Sequence, residues 1–436
     1  MNHAMNAFRL PEEIWMNVFK YLPKSDKMNV RSCCRHFKRL VDHRCLWKDE
    51  TVVLRRLKSY NSNFWKTLRK RMLTSVVVIN IHEKDWKHIV TNLPWLRSVT
   101  IDSSNVDSDV LTNLSRLKEL KRLVIRTLPR YSGLAKKMAL LPQLEHLSLC
   151  RVHNAVRSEI LSAVSQLCNL TSLHYHEGHS PIPKQTFHDL LNGLPKLRHL
   201  SLRMWPNHGS LPDDYLNISR VVLDSSGLHH GNKGLTSLEL LNYMDPMLSP
   251  VALDHLPFLQ NLTVKYIRRV TEAGNKCHLR AWLKSLSHLT ELTVNYGHPL
   301  SVYADVLPRK LKNMSLSGMM VESGAMVLAG SKVPDLLHLC YDPFVFNGHS
   351  CLEEISRFFT QLQSLKVRYY SVSERDLMGL GRMQQLRRLV ILGARPDNCP
   401  ISSELLAELQ MQTEHRIQVV LAGDAREPAA CSCDQY

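Results

Sequence analysis

Leu117-Lys118-Glu119-Leu120-Lys121-Arg122-Leu123-Val124-Ile125 is followed shortly by Leu141-Pro142-Gln143-Leu144-Glu145-His146-Leu147-Ser148-Leu149. Both are one phrase, Leu-x-x-Leu-x-x-Leu-x-Leu with aliphatic substitutes, and self-similarity at a fixed period outranks local propensity as a signal of fold. Working outward, the phrase returns at Leu167, Leu170, Leu173 and Tyr175, then at Leu194, Leu197, Leu200 and Leu202. Later copies end at Leu262-Thr263-Val264, Leu292-Thr293-Val294, Leu365-Lys366-Val367 and Leu389-Val390-Ile391. From Leu123 to Leu147 is 24 residues, from Leu147 to Leu173 26, from Leu173 to Leu200 27, and from Leu365 to Leu389 24. The alternating end of each phrase reads as a strand, and amphipathic stretches between them, such as Ala155 to Leu167 and Lys184 to Leu194, read as one helix per unit. The expected fold is α/β, a curved solenoid whose strands form a parallel, concave sheet.

The array is interrupted once. Val221 and Leu238 both look like strand positions but are only 17 apart, too close for a strand-helix unit, and Asp213 to Gly234 is polar and glycine-bearing. An irregular loop is expected there, and one of the two strands is expected to be illusory.

The first fifty residues follow different rules. Arg9-Leu10-Pro11-Glu12-Glu13-Ile14 reads as a helix start, with proline at the head and two glutamates complementing the dipole. Ile14, Val18 and Leu22 make one apolar stripe and Trp15 and Phe19 a second, until Pro23 stops the helix. Two more short helices follow around Met28 to Cys34 and Phe37 to Val41, and Leu46-Trp47 closes the module. So much apolar surface on some forty residues implies a second surface to cover it.

The ordered set Leu10-Pro11-x-Glu13-Ile14, Val18-Phe19, Tyr21-Leu22-Pro23, Asp26, Val30, Cys33, Arg35, Phe37, Leu40-Val41 and Leu46-Trp47 resembles an F-box, with Phe37 where that family often has tryptophan. The later phrases resemble leucine-rich repeats, although Val152, Ile267, Met319 and Tyr370 stand where those repeats usually carry asparagine or cysteine. The chain is thus similar to F-box and leucine-rich-repeat proteins. The expected division is an F-box over 8–50, a basic linker helix over 51–72, repeats over 73–423 and a flexible tail over 424–436. The resemblance implies a receptor without catalytic residues, cofactor or metal. Its F-box would bind the Skp adaptor, and through it a cullin and a RING subunit, while its repeats would bind the protein to be ubiquitinated. By position in the motif, Leu10, Pro11, Ile14, Val18, Phe19, Leu22, Pro23, Leu46 and Trp47 would contact the adaptor; the alternative for several, Val18 and Leu46 especially, is internal core.

Charge bounds the partners. The chain carries 56 Lys and Arg against 39 Asp and Glu, a formal charge of +17, which favours acidic or phosphorylated proteins, nucleic acid or anionic surfaces. Seven basic residues and no acidic one lie between Leu54 and Met72; a solvated helix face competes there with an import signal or a phosphate patch. On the expected concave face Arg122, Arg126, His174, His176, His199, Arg203, Lys366, Arg368 and Arg388 are the candidate substrate contacts. His174-x-His176-x-x-His179 has no cysteine or second histidine pair to close a metal site, and no phosphate loop or nucleophile elbow is present. Eleven cysteines without a CxxC pair fit reduced thiols, and no apolar run is long enough to span a bilayer, so a cytoplasmic or nuclear protein is expected. The competing function is a basic repeat scaffold that binds nucleic acid or acidic proteins outside any ligase.

Overall fold

The computed structural model describes residues 10–80, 82–102, 108–128, 133–177, 180–205, 209–217, 234–270, 276–322, 324–343, 352–368, 374–393 and 403–422. The chain divides into two compact units, with the boundary between Leu170 and Thr171.

The first unit opens with three helices, α1 (Glu12–Tyr21), α2 (Lys24–Cys33) and α3 (Arg35–Val41), and a 3-10 turn at Arg44–Leu46. Pro11 and Pro23 head α1 and α2, since a residue without an N–H loses nothing there, and Pro23 also ends α1. Phe19 fills the middle of this module, edge-on to Phe37 at 5.5 Å between ring centroids, with Trp15 4.9 Å from Phe37. Strands β1 (Thr51–Arg55), β2 (Ser75–Ile79), β3 (Ser98–Asp102), β4 (Arg122–Ile125) and β5 (His146–Val152) then form a parallel sheet in sequence order.

The second unit repeats the scheme with β6 (Ser172–Glu177), β7 (His199–Arg203), β8 (Ser237–Tyr243), β9 (Asn261–Arg269), β10 (Glu291–Gly297), β11 (Asn313–Ser317), β12 (His338–Asp342), β13 (Ser364–Arg368), β14 (Arg388–Leu392) and β15 (Gln418–Ala422). Each strand pairs in parallel with the next. The phrase leucines set the register: Leu123 lies opposite Leu147, Leu200 opposite Leu238 and Leu365 opposite Leu389, all buried. Period-two alternation puts this column on the inside of the sheet, while the position between its members is polar in strands such as β6, β7 and β13 and apolar at Val77, Val124 and Val390. Helices such as Arg157–Val164 and Lys184–Asn192 complete the repeats, so the fold is the expected α/β solenoid behind a helical module.

One expectation changes. Over 51–72 there is no single linker helix: Thr51–Arg55 is the strand β1, in register with β2 from Thr51 opposite Ser75, and only Ser62–Arg71 (α4) is a long helix. Val52, Val53 and Leu54 favour a pleated surface, and the open edge of β2 supplies the ladder that outweighs the basic flanks. Of the two competing strand positions, Leu238 lies in β8, directly opposite Leu200; Val221, most of the Asp213 to Gly234 loop and the tail 424–436 lie outside the described residues.

Candidate functional site

The helical module exposes one apolar stripe. Ile14, Val18 and Tyr21 recur on α1 at helical spacing, with Leu10 just before it, and they are 45%, 45%, 90% and 47% exposed. Met28 on α2 is exposed as well, and Pro11 and Pro23 stand open at the two ends of α1. Leu22 is half-buried. Completing the burial of the half-exposed Leu10, Ile14 and Val18 against a partner would stabilise by about 1 kcal/mol each.

Three residues assigned to the adaptor contact are turned inward. Phe19 is 2% exposed, Leu46 5% and Trp47 1%. Phe19 is wedged against Phe37, and the Trp47 indole donates to the Val41 carbonyl while the Arg71 guanidinium lies 3.7 Å above its ring. They form the module's core and support the stripe from beneath. Of the two residues read as alternative core, Leu46 is core and Val18 is surface.

Asp42, at the end of α3, fastens this module to the first repeat. Its carboxylate accepts from Arg31 of α2 at 2.8 and 3.0 Å and from Arg71 of α4 at 2.7 and 2.9 Å. Burial alone would raise its pKa, but the hydrogen bonds and charges of Arg31 and Arg71 hold it below the usual carboxylate value. Arg71, one of the seven basic residues between Leu54 and Met72, is therefore structural rather than solvated.

The sheet face is less uniformly basic than the strand pattern suggests, because acids are answered from the following strand. Arg126 donates to Asp102 at 2.9 Å, Lys265 lies 3.0 Å from Glu239, and Arg368 grips Asp342 with two bonds of 2.7 Å. Arg122 and Arg203 are half-buried, and Arg203 leans over the Trp205 ring at 4.9 Å. Lys366 and Arg388 are exposed, and with His338, Arg387, Glu291 and Cys340 they line a groove of about 580 Å³ across β10 to β14.

His176 is corrected from surface to core. It is 0% exposed, its Nε2 is 2.8 Å from the Ser201 hydroxyl, and that hydroxyl donates to Glu239 at 2.6 Å. His174 and His199 stay half-buried above it, their ring centroids 4.7 Å apart. Glu239, absent from the candidate contacts, is the hub here. His179 lies outside the described residues. Deeper in the second unit, Asp245 accepts from the Tyr243 hydroxyl and from His298, both at 2.8 Å; closed off from solvent, that cluster ties the repeat of β8 to that of β10, two strands on.

Residues 7–49 match the family model described as F-box-like. The N-terminal module is an F-box-like domain. The chain is 33% identical over 63 residues to F-box/LRR-repeat protein 12 of Bos taurus and of Homo sapiens, and 34% identical over 65 residues to the Mus musculus protein. Those alignments cover 14–15% of this chain and 19% of each relative, so the chain matches about a fifth of the length of these curated relatives. Among solved structures, the chain resembles an internalin from Listeria monocytogenes (14% identity, TM-score 0.34, 83% of each chain covered). It also resembles the Rad7 and Elc1 complex of yeast (13% identity, TM-score 0.44, 95% and 90% covered). The α1 stripe lies within the F-box match.

Proposed function

We propose that this protein is the non-catalytic substrate receptor of an SCF-type ubiquitin ligase, acting in the cytoplasm or nucleus. The F-box binds a Skp adaptor, which brings the cullin and RING subunits, and the repeat sheet holds the protein to be ubiquitinated. The observation that carries this reading is the exposed stripe Leu10, Ile14, Val18 and Tyr21 on an F-box-like domain, held rigid by the buried Phe19, Leu46 and Trp47. A contiguous apolar helix face of this kind, exposed on a folded module, is the feature expected of a surface at which a partner protein docks. On the sheet, Lys366 and Arg388 in their groove suit an acidic or phosphorylated substrate.

The reading is tested with Ile14→Glu/Val18→Glu. Each change places a charge in the centre of the docking face, where anchors carry about 2 kcal/mol or more, so adaptor capture is expected to fall by about 1,000-fold. Circular dichroism should stay unchanged because both positions are exposed. Undiminished adaptor capture by the double variant would remove α1 from the interface.

A further inference from the structure

Three of the sheet's polar side chains converge in a way that substrate docking does not require. His174, His199 and Glu239 stand on three successive strands, β6, β7 and β8, and each brings one donor atom within 4.8 Å of the others. The register explains how. His174 pairs with Ser201 and Ser201 with Glu239, so the short serine leaves a hollow over which imidazole and carboxylate meet, His174 Nδ1 lying 3.8 Å from Glu239 Oε2. His199 stands two residues before Ser201 on the same face. Its Nδ1 is fixed by the Ser237 hydroxyl at 2.7 Å, whereas its Nε2, shielded from solvent, has no hydrogen-bond partner. A metal-ligating histidine usually has this arrangement, one nitrogen oriented by an oxygen and the other presented to the ion.

We propose that His174, His199 and Glu239 bind a divalent cation of the zinc class on the polar face of the sheet. Two imidazoles and one carboxylate are borderline-hard donors of the type zinc takes, and three protein ligands leave a fourth position open. The protonation states agree with the geometry. Burial lowers the His199 pKa, leaving a neutral imidazole at pH 7. Burial opposes ionisation of Glu239, but Lys265, Ser201 and His174 outweigh it and keep the carboxylate charged. Tetrahedral bonds of about 2.1 Å set ligand atoms about 3.4 Å apart, so the three side chains close inward by little more than an ångström. Behind them, His176 and Ser201 form a chain of hydrogen bonds that orients Glu239. Lys265, 3.0 Å from Glu239 Oε1, is the competing cation.

The test is titration of the full chain, first stripped with chelator, with Co²⁺ read by visible absorption and then with Zn²⁺ in competition. One equivalent should bind with tetrahedral d–d bands and no thiolate charge-transfer band, which separates this site from the cysteines. Outer-shell changes cost metal affinity about 10–100-fold, so loss of a ligand in His199→Ala or Glu239→Gln is expected to cost about 100-fold or more. Lys265→Met should tighten binding. His174→Gln repeats the test should Glu239→Gln fail to fold. No bound equivalent, a thiolate band, or equal affinity in wild type and the ligand variants would overturn the proposal.

Discussion

Asp42 gathers two guanidinium groups that would otherwise face each other in a nearly closed space, Arg71 being only 6% exposed. Asp42→Asn leaves Arg71 buried without its counter-charge, which costs about 3–5 kcal/mol, measurable by denaturant unfolding at pH 7. The pH dependence has a definite sign. Because the folded state holds Asp42 below its ordinary value of 3.8, the unfolded chain binds the proton more readily. The stabilisation is therefore complete above about pH 4–5 and is lost as pH falls through 3.8 toward the folded pKa; the Asp42→Asn change would flatten that limb of the stability profile. At this scale the sequence is legible only in part. The apolar stripes of α1 show that more than half its circumference is apolar, but which half is filled from within depends on where Phe37 of α3 lands. Phe19 and Val18 are adjacent in sequence and opposite in burial for that reason.

Strands are the most legible elements, because a leucine column in register with its neighbours fixes both spacing and facing, as Leu123 with Leu147 and Leu365 with Leu389 demonstrate. β1 escaped because no Leu-x-x-Leu phrase precedes it and basic residues follow it. Glu239 reads as a solvent-facing strand position after Leu238, but its neighbours were not legible: β7 and β8 pair with a step of 38 residues between Leu200 and Leu238, far from the usual period, so no spacing argument could lay it beside His174. At the strand ends two glycines are held at positive φ, Gly297 at 76° and Gly318 at 66°. A Cβ on either would come within 2.5 Å of a tyrosine ring, Tyr266 in the first case and Tyr296 in the second. Tyr266 is 4% exposed and cannot retreat, whereas Tyr296 is 43% exposed and can. Gly318→Ala should thus cost about 1–2 kcal/mol of left-handed backbone strain. Gly297→Ala adds overpacking of about 1–3 kcal/mol more, so the lower unfolding midpoint is expected for it. Equal midpoints would show that the ring contact exerts no force.

Over the whole molecule the excess of 56 basic over 39 acidic residues is real, but pairing across the sheet spends part of it on structure. Arg368, which looks in sequence like a substrate fork, holds Asp342; Arg368→Glu sets two carboxylates against each other and is expected to lower stability before it reports on substrate. Lys366→Glu/Arg388→Glu is the cleaner probe, because both side chains are exposed in the β10 to β14 groove. It should reduce substrate capture, most strongly at low salt, while adaptor capture is unchanged. For a basic scaffold that binds nucleic acid, the logarithm of the binding constant would instead fall linearly with the logarithm of salt concentration, without need of the α1 stripe. The most direct measurement of the central claim is co-expression of the full chain with a Skp adaptor, purification at moderate salt, and determination of the mass of the complex. A one-to-one complex that survives the salt wash is expected, because the proposed contact buries the exposed apolar stripe of α1 and apolar burial is insensitive to salt screening. Recovery of the chain alone, with the adaptor in the flow-through, would contradict it.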